Sequence, residues 1–312
     1  IAANGAPGSA HYSGSGGSIY CRAGAIHGAG SIRANAGAVT SSTPGGGGRI
    51  ALVVTNEAAG WEGLTATVEA RGYSKSSASS SGTIYRETAA DAPGRGELII
   101  RGYGTLPMYG VGVQVGGQVA ATSSFARVRI ENNGMLVIDA GSLLDLTDSE
   151  LACAPLTANG GLAIAGGTLA VAPGFVLTNS ILWIQSVSAS LDSGDSFIVG
   201  NNGELRLDHH FVHKGNLSVA SGGLVSRALL DGVNPAPLSL AVTGDLTVAA
   251  GGSIDVSSKG FTYANGPGRG TGGIAASHGG RGASYAGAAL SRPSYGSIVE
   301  PVTCGSGGGY NA

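Results

Sequence analysis

The sequence predicts an all-β fold, a right-handed parallel β-helix (β-solenoid), from three observations. Between residues 135 and 256, apolar residues occur in pairs that alternate with polar or small residues. Glycine or Pro-Gly turns separate these pairs, and the 312-residue chain contains 57 glycines in all. The pairs also recur at nearly constant steps. Together these features are typical of short strands joined by tight corners.

The paired residues are expected to point inward on short strands and to stack as ladders along a common axis. Two-residue alternation places both members of a pair on one face of a strand. Heptad-like spacing does not indicate a coiled coil here, because glycine and β-branched residues are too frequent. The pairs are Leu162/Ile164, Leu169/Val171, Leu205/Leu207, Leu217/Val219, Leu246/Val248 and Ile254/Val256.

The spacing predicts coils of about 20 to 25 residues, each with two or three strands, stacked with a rise of about 4.8 Å. An antiparallel sandwich is the alternative, but it calls for longer strands and Asn-Gly hairpin turns. A local helical turn is a second alternative, because Thr147-Asp148-Ser149-Glu150 fits a capping box. The steps of six or seven run through Leu162, Leu169, Val176 and Leu182, and through Leu191, Ile198, Leu205 and Val212.

The chain is predicted to be a single domain over residues 1–312 with three sub-regions. Residues 1–130 are glycine-rich coils that contain the apolar strand IALVV after Arg49 and an inserted loop near 74–97, serine-rich over 74–81. Residues 131–256 are the regular coils. Residues 257–312 are glycine-rich loops, which cannot fold alone and are expected to pack against the coils.

Composition excludes several classes of function. The net charge is −2 and the arginines are scattered, so the sequence has no basic patch that would bind nucleic acid. No apolar run approaches the about 18 residues that a membrane-spanning helix needs. Collagen and disorder are excluded by the glycine spacing and by 42% hydrophobic residues. Because the sequence starts at Ile1 without methionine, a processed or excised mature form is expected, whose export signal, if any, has been removed.

Few residues suggest chemistry, so no enzyme activity, metal or cofactor is predicted. Cys21, Cys153 and Cys304 lack CxxC spacing, and Cys153 is expected to be a buried apolar residue. GPGRGTGG at 266–273 lacks the P-loop pattern, and no GxSxG motif occurs.

Two polar clusters can be interpreted either as functional sites or as ordinary surface residues. Asp208-His209-His210 with His213 could line a catalytic groove, although solvated turn and strand residues are expected, with His209 and His210 on opposite faces. Carboxylates in one stretch could flank calcium, although surface turns are the expected role. These carboxylates are Asp139, Asp145 and Asp148.

Three segments resemble units of very large glycine-rich repeat proteins of bacteria. They are GSGGSIYCRAGAIHGAGSIRANAG with PGGGGRIALVV (14–37, 44–54), SGTIYRETAADAPGRGELII (81–100), and the stretch from GDLTVAAGG to YGSIVEPVTCGSGGGY (244–310). The resemblance covers somewhat over half of the chain and implies a secreted or surface-exposed β-solenoid. It implies no activity.

In that family the unit that ends in GSGGG precedes the one that begins near I.ANG, so the C-terminus here reads as though it continues into the N-terminus. A contact of this head-to-tail kind generates filaments. Candidate residues at the joint are Ile1, Cys21, Cys304 and Tyr310. Cys21 and Cys304 either form a disulfide between subunits or remain buried thiols.

The expected function is that of a secreted structural protein at the cell surface or outside the cell, a subunit of a filament assembled by head-to-tail stacking of β-solenoids. Its main partner is itself, with surface glycans as a further candidate partner. One alternative is a segment of a giant adhesin that binds glycans or other cells. Another is a β-helix polysaccharide lyase or hydrolase.

Overall fold

The computed structural model describes residues 1–8, 12–39, 44–72, 79–102, 113–115, 121–153, 160–228, 232–284 and 292–309. Within these ranges the chain forms 25 β-strands and no helix. The strands are β1 (Ser18–Ala23), β2 (Ser31–Arg33), β3 (Arg49–Val54), β4 (Thr67–Glu69), β5 (Thr83–Glu87), β6 (Glu97–Arg101), β7 (Val113–Val115), β8 (Thr122–Ser124), β9 (Arg127–Glu131), β10 (Met135–Asp139), β11 (Leu143–Leu146), β12 (Glu150–Cys153), β13 (Gly161–Ala165), β14 (Thr168–Val171), β15 (Phe175–Leu177), β16 (Ile181–Ile184), β17 (Ser190–Asp192), β18 (Ser196–Val199), β19 (Glu204–Leu207), β20 (Phe211–His213), β21 (Asn216–Val219), β22 (Leu224–Ser226), β23 (Leu240–Val242), β24 (Leu246–Val248) and β25 (Ser253–Ile254).

From β7 onward, strands pair in parallel with the strand three positions further along the chain. The seven-stranded sheet runs β7-β10-β13-β16-β19-β22-β25, and the four-stranded sheets run β8-β11-β14-β17 and β15-β18-β21-β24. Gly161 pairs with Ile181, and Ile181 pairs with Glu204, so one repeat is close to the expected length. The prediction of an all-β fold is confirmed, and its sheets are mostly parallel, unlike those of an antiparallel sandwich.

The main core lies between these sheets. Most of the predicted inward pairs are fully buried in it, among them Leu162/Ile164, Leu205/Leu207 and Leu217/Val219. Residues in register form columns. The central column contains Leu136, Leu162, Leu182, Leu205, Val225 and Ile254, each of which pairs with the next.

The predicted seven-residue step fails in two sheets, β15-β18-β21-β24 and β20-β23. Val176 and Val212 point outward and are exposed, while their neighbours Leu177 and Phe211 are buried. Ile198 likewise lies between two buried residues, Phe197 and Val199. A prediction from constant spacing assumes that every corner has the same number of residues. One extra corner residue reverses which alternate positions face inward.

The structure does not adopt the alternative of a helical turn at 147–150. Thr147 and Asp148 form a turn, and Glu150 already begins β12. Glu150 pairs in parallel with Arg127 of β9, and its backbone N–H donates to the Ala126 carbonyl. Pairing with an adjacent strand therefore overrides the local capping signal.

A second core lies near the N-terminus. It contains Ile19, Ile50, Leu52 and Ile84 from β1, β3 and β5, and Ile99 from β6. These strands belong to a six-stranded sheet, β1-β3-β5-β6-β9-β12. The expected strand after Arg49 is therefore confirmed as β3. Thr83–Glu87, within the stretch expected to be an inserted loop, forms β5.

The two cores meet at β6 on opposite faces of the six-stranded sheet. Ile99 belongs to the N-terminal core, whereas its neighbours Leu98 and Ile100 belong to the main core. The β5–β6 pair is antiparallel, unlike every other pair of described strands, so strand direction reverses where the core changes face.

One corner of the repeat is built from residues in the left-handed conformation. Asn179, Asn202, Gly222 and Gly251 precede successive strands of the seven-stranded sheet, and each has a φ between 50° and 83°. The side-chain amide of Asn202 donates to Oδ1 of Asn179 at 3.2 Å. Asparagine and glycine are the residues that tolerate this conformation best, so these corners repeat without strain.

Candidate functional site

The last rung of the main core, defined as Leu246, Val248 and Ile254, is open to solvent. Their side chains are 46%, 45% and 41% exposed. Their register partners one repeat earlier, Leu217, Val219 and Val225, are at most 1% exposed. Leu246, Val248 and Ile254 align with the ladders, as predicted. They are not buried, so the prediction that they point into a covered core is wrong. Val256, expected to face inward with Ile254, is 41% exposed as well.

The backbone of the last rung is also unpaired on one side. β24 and β25 are the end strands of their sheets among the residues that the structure describes. An end strand offers a row of free N–H and C=O groups to any strand that docks beside it. The last rung therefore combines exposed apolar side chains with free backbone hydrogen-bonding groups, which is what a further parallel strand needs.

The opposite end of the strand array is formed by β1 and by residues 1–5. β1 is an end strand of the six-stranded sheet, where Ile19 is buried and Tyr20 faces solvent. Ala2 pairs in parallel with Arg33, and the N-terminal ammonium group of Ile1 donates to the Ser31 carbonyl at 2.8 Å. This surface, called the first rung, also has a free backbone edge.

The four candidate joint residues are distributed unevenly. Ile1 is exposed on the first rung, and Cys21 in β1 packs partly against the N-terminal core. Cys304 lies on the glycine-rich segment near the last rung, in a cavity that Val256 also lines. Tyr310 lies outside the described residues. Within one chain Cys21, Cys153 and Cys304 are free, partly buried thiols.

The proposed catalytic cluster is not brought together. His209 and His210 are exposed in the short bend between β19 and β20 rather than on opposite faces of a strand. His213 points into the main core, where its ring lies 6.2 Å from that of Phe197 and Nε2–H donates to the Asn216 carbonyl at 3.1 Å. Burial lowers the pKa of His213. Asp208 is buried outside the main core. The expectation that these residues are solvated therefore holds for His209 and His210 but not for Asp208 and His213.

Asp208 belongs to a buried polar cluster that sequence reasoning missed. Nε1–H of Trp183 donates to Oδ2 of Asp208 at 2.8 Å, and burial raises the pKa of this carboxyl. Arg206 forms two 2.8 Å hydrogen bonds to Glu204 and lies over the Trp183 ring. These side chains alternate with main-core residues on the same strands, so they occupy the other face of the seven-stranded sheet.

The expected role in surface turns holds for Asp148, which is exposed in a turn, but Asp139 ends β10 with its Oδ2 buried and Asp145 lies in β11. Oδ1 of Asp145 accepts hydrogen bonds from the backbone and hydroxyl of Thr147, which lowers the pKa of Asp145. Among the described residues, no three His, Cys, Asp or Glu side chains gather in a metal-binding arrangement. In the 266–273 stretch, Thr271 and Ile274 form an antiparallel bridge and no helix follows.

A scan against protein-family models, a search of curated proteins and a search of solved structures each found no match. Over the described ranges, no helix is both long and apolar enough to cross a membrane. The two end rungs are therefore the features of the described chain that bear most directly on function.

Proposed function

We propose that the chain is a structural protein, a right-handed parallel β-helix that assembles head to tail into an extracellular filament. The observation that carries the proposal is the last rung. Its residues have the same type and register as the buried rungs before them, yet they are open to solvent. A docked first rung of a second copy would cover them and extend the sheets.

The junction at β6 supports a continuous coil. Strand direction reverses between β5 and β6, and the core moves to the opposite face of the same sheet. The hand of a coil depends on the direction of its strands and on which face of the sheet covers the core. When both reverse together, the hand stays the same. The N-terminal and central parts would therefore belong to coils of one hand, which suits stacking of further copies along the same axis.

The proposal is tested by negative-stain electron microscopy and sedimentation of the 312-residue chain at increasing concentration. Uniform unbranched fibres are expected, because each docked copy presents a new last rung. Leu246→Lys places a charge in the joint and should leave single particles. Val176→Lys is the matched control, because Val176 is also 46% exposed but lies on the outer face of β15, at the opposite end of the sheet that β24 ends.

Single short rods at every concentration, or equal loss of fibres in both variants, would contradict the filament proposal. Short rods would favour the adhesin alternative, in which coils of a longer polypeptide cover the last rung. Release of reducing ends from a polysaccharide panel, abolished by Asp208→Ala but kept by a folded His209→Ala variant, would favour the enzyme alternative.

A further inference from the structure

A cavity of about 320 Å³ lies where the glycine-rich segment 257–309 meets the end of β22. Its lining includes three basic side chains, Arg227, Lys259 and His278, together with the thiol-bearing Cys304. None of the described lining residues is acidic. A pocket of this size fits a small organic molecule.

Arg227 is the residue that gives the cavity its chemistry. It is only 5% exposed, and its guanidinium donates to the carbonyls of Ala228 at 3.2 Å and Pro237 at 3.0 Å. No carboxylate of the described chain lies within the 4.0 Å that defines an ion pair with it. The Asp208 carboxylate, which lies beyond that distance, interacts electrostatically with Arg227. Because Asp208 does not line the cavity, the guanidinium brings positive charge to the cavity wall, where an anion can pair with it directly.

The other lining residues fit an oxygen-rich anion. His278 contacts the Thr303 hydroxyl at 3.0 Å and packs edge-on against Tyr295, which fixes the imidazole at the cavity wall. Leu238 and Pro301 provide an apolar wall. The cavity therefore offers positive charge on one side and an apolar surface on another.

We propose that this cavity binds a small organic oxyanion, such as an acidic monosaccharide, with its charged group beside Arg227 and Lys259. The proposal needs only one copy of the chain. Because Cys304 and Cys21 are also candidate joint residues, the experiments use concentrations at which the chain is monomeric. Glucuronate is the probe, glucose is its uncharged counterpart, and inorganic sulfate tests whether the charged group suffices.

Cys304 provides a direct readout inside the cavity. Iodoacetate and iodoacetamide each alkylate a thiolate: a C–S bond forms, the C–I bond breaks, iodide leaves, and the buffer takes the thiol proton. Iodoacetate is negatively charged and iodoacetamide is neutral, and both react with the same thiolate. The thiolate fraction therefore cancels in the ratio of the two rates, which reports the electrostatic potential at the thiol. We expect a several-fold higher iodoacetate-to-iodoacetamide ratio at Cys304 than at Cys21, the internal control, measured by peptide mass spectrometry.

Millimolar glucuronate should slow the reaction of Cys304 with iodoacetamide, and glucose should not. Lys259→Gln should lower the rate ratio at Cys304 and weaken glucuronate protection about tenfold, the loss expected for one charge-assisted contact. Arg281→Gln is the matched control, because it removes an exposed arginine of the same segment that does not line the cavity. Arg227→Gln should abolish protection if the variant folds.

Protection by sulfate as strong as that by glucuronate supports an anion site and shows that the charged group alone suffices. Equal rate ratios at Cys304 and Cys21 would overturn the proposal. So would protection by glucose equal to that by glucuronate, or unchanged protection in Lys259→Gln.

Discussion

Interior rungs and the last rung carry the same residues in different environments. Leu205 and Val225 belong to the central column and are completely buried, whereas Ile254 in the same column is 41% exposed. Each rung is shielded from water by the one that follows. Burial in a stacked fold is therefore set by position along the stack, and the local sequence pattern carries no information about which rung is last.

The largest expected effect of this difference is on stability. Leu205→Ala leaves a cavity between two covered rungs and should lower the free energy of unfolding by about 2–5 kcal/mol. Leu246→Ala should cost less than about 1 kcal/mol at concentrations where the chain is monomeric, because little buried volume is lost. Urea denaturation of both variants measures the difference. Equal losses would mean that Leu246 is covered in the single chain.

A second prediction concerns His213, a buried titratable side chain in the main core. His213 is held neutral by burial, which lowers its pKa from 6.5. As the pH falls below 6.5, the unfolded chain binds a proton that the folded chain disfavours, so stability is lost on acidification. His213→Gln should remove this slope when denaturation is measured above and below pH 6.5.

The exposed His209 provides the control for this pH effect. His209→Gln should retain the loss of stability on acidification that the unmodified chain shows. A pH slope unchanged in His213→Gln would contradict the burial of a neutral imidazole in the main core.

A third prediction separates local backbone strain from burial. Gly222 lies at an interior corner and Gly251 at the last one, with φ angles of 75° and 83°. Alanine at either position should cost about 1 kcal/mol, because the left-handed conformation disfavours any side chain with a Cβ. Thermal denaturation should therefore show similar losses for the two variants. A loss confined to Gly222→Ala would show that the last corner is not rigidly held.

The smallest expected effect is that of salt on association. Residues 1–48 contain two arginines and no acidic residue, and residues 257–312 contain four basic residues and one acidic residue. Docking of one end on the other brings like charges together, so added salt should strengthen association modestly. Sedimentation equilibrium at low and high salt measures this. Weaker association at high salt would indicate a joint dominated by ion pairs instead.

Sequence reasoning recovered the parts of the fold that repeat locally. Leu162/Ile164 and the Gly222-Gly223 corner follow from alternation and from backbone conformation, which are properties of a few neighbouring residues. It missed Val176 because corner length, rather than a fixed step, sets which alternate residues face inward. The antiparallel β5–β6 pair was not predictable either, because pairing direction depends on the whole path between two strands.

The candidate site was predictable only in part. Complementary end segments pointed to the two end rungs and to Cys21 and Cys304. The buried cluster of Trp183 and Asp208 gave no local signal, because both faces of the seven-stranded sheet are covered by residues distant in sequence. Arg227 likewise reads as an ordinary surface arginine until its burial is known.

Diffraction from aligned assemblies tests the central claim most directly. If first and last rungs dock, strands lie across the fibre and stack along it, so a reflection near 4.8 Å should appear on the fibre axis. Oriented fibres that instead place this reflection perpendicular to the axis would show that copies associate side by side. That result would contradict head-to-tail continuation of the ladders.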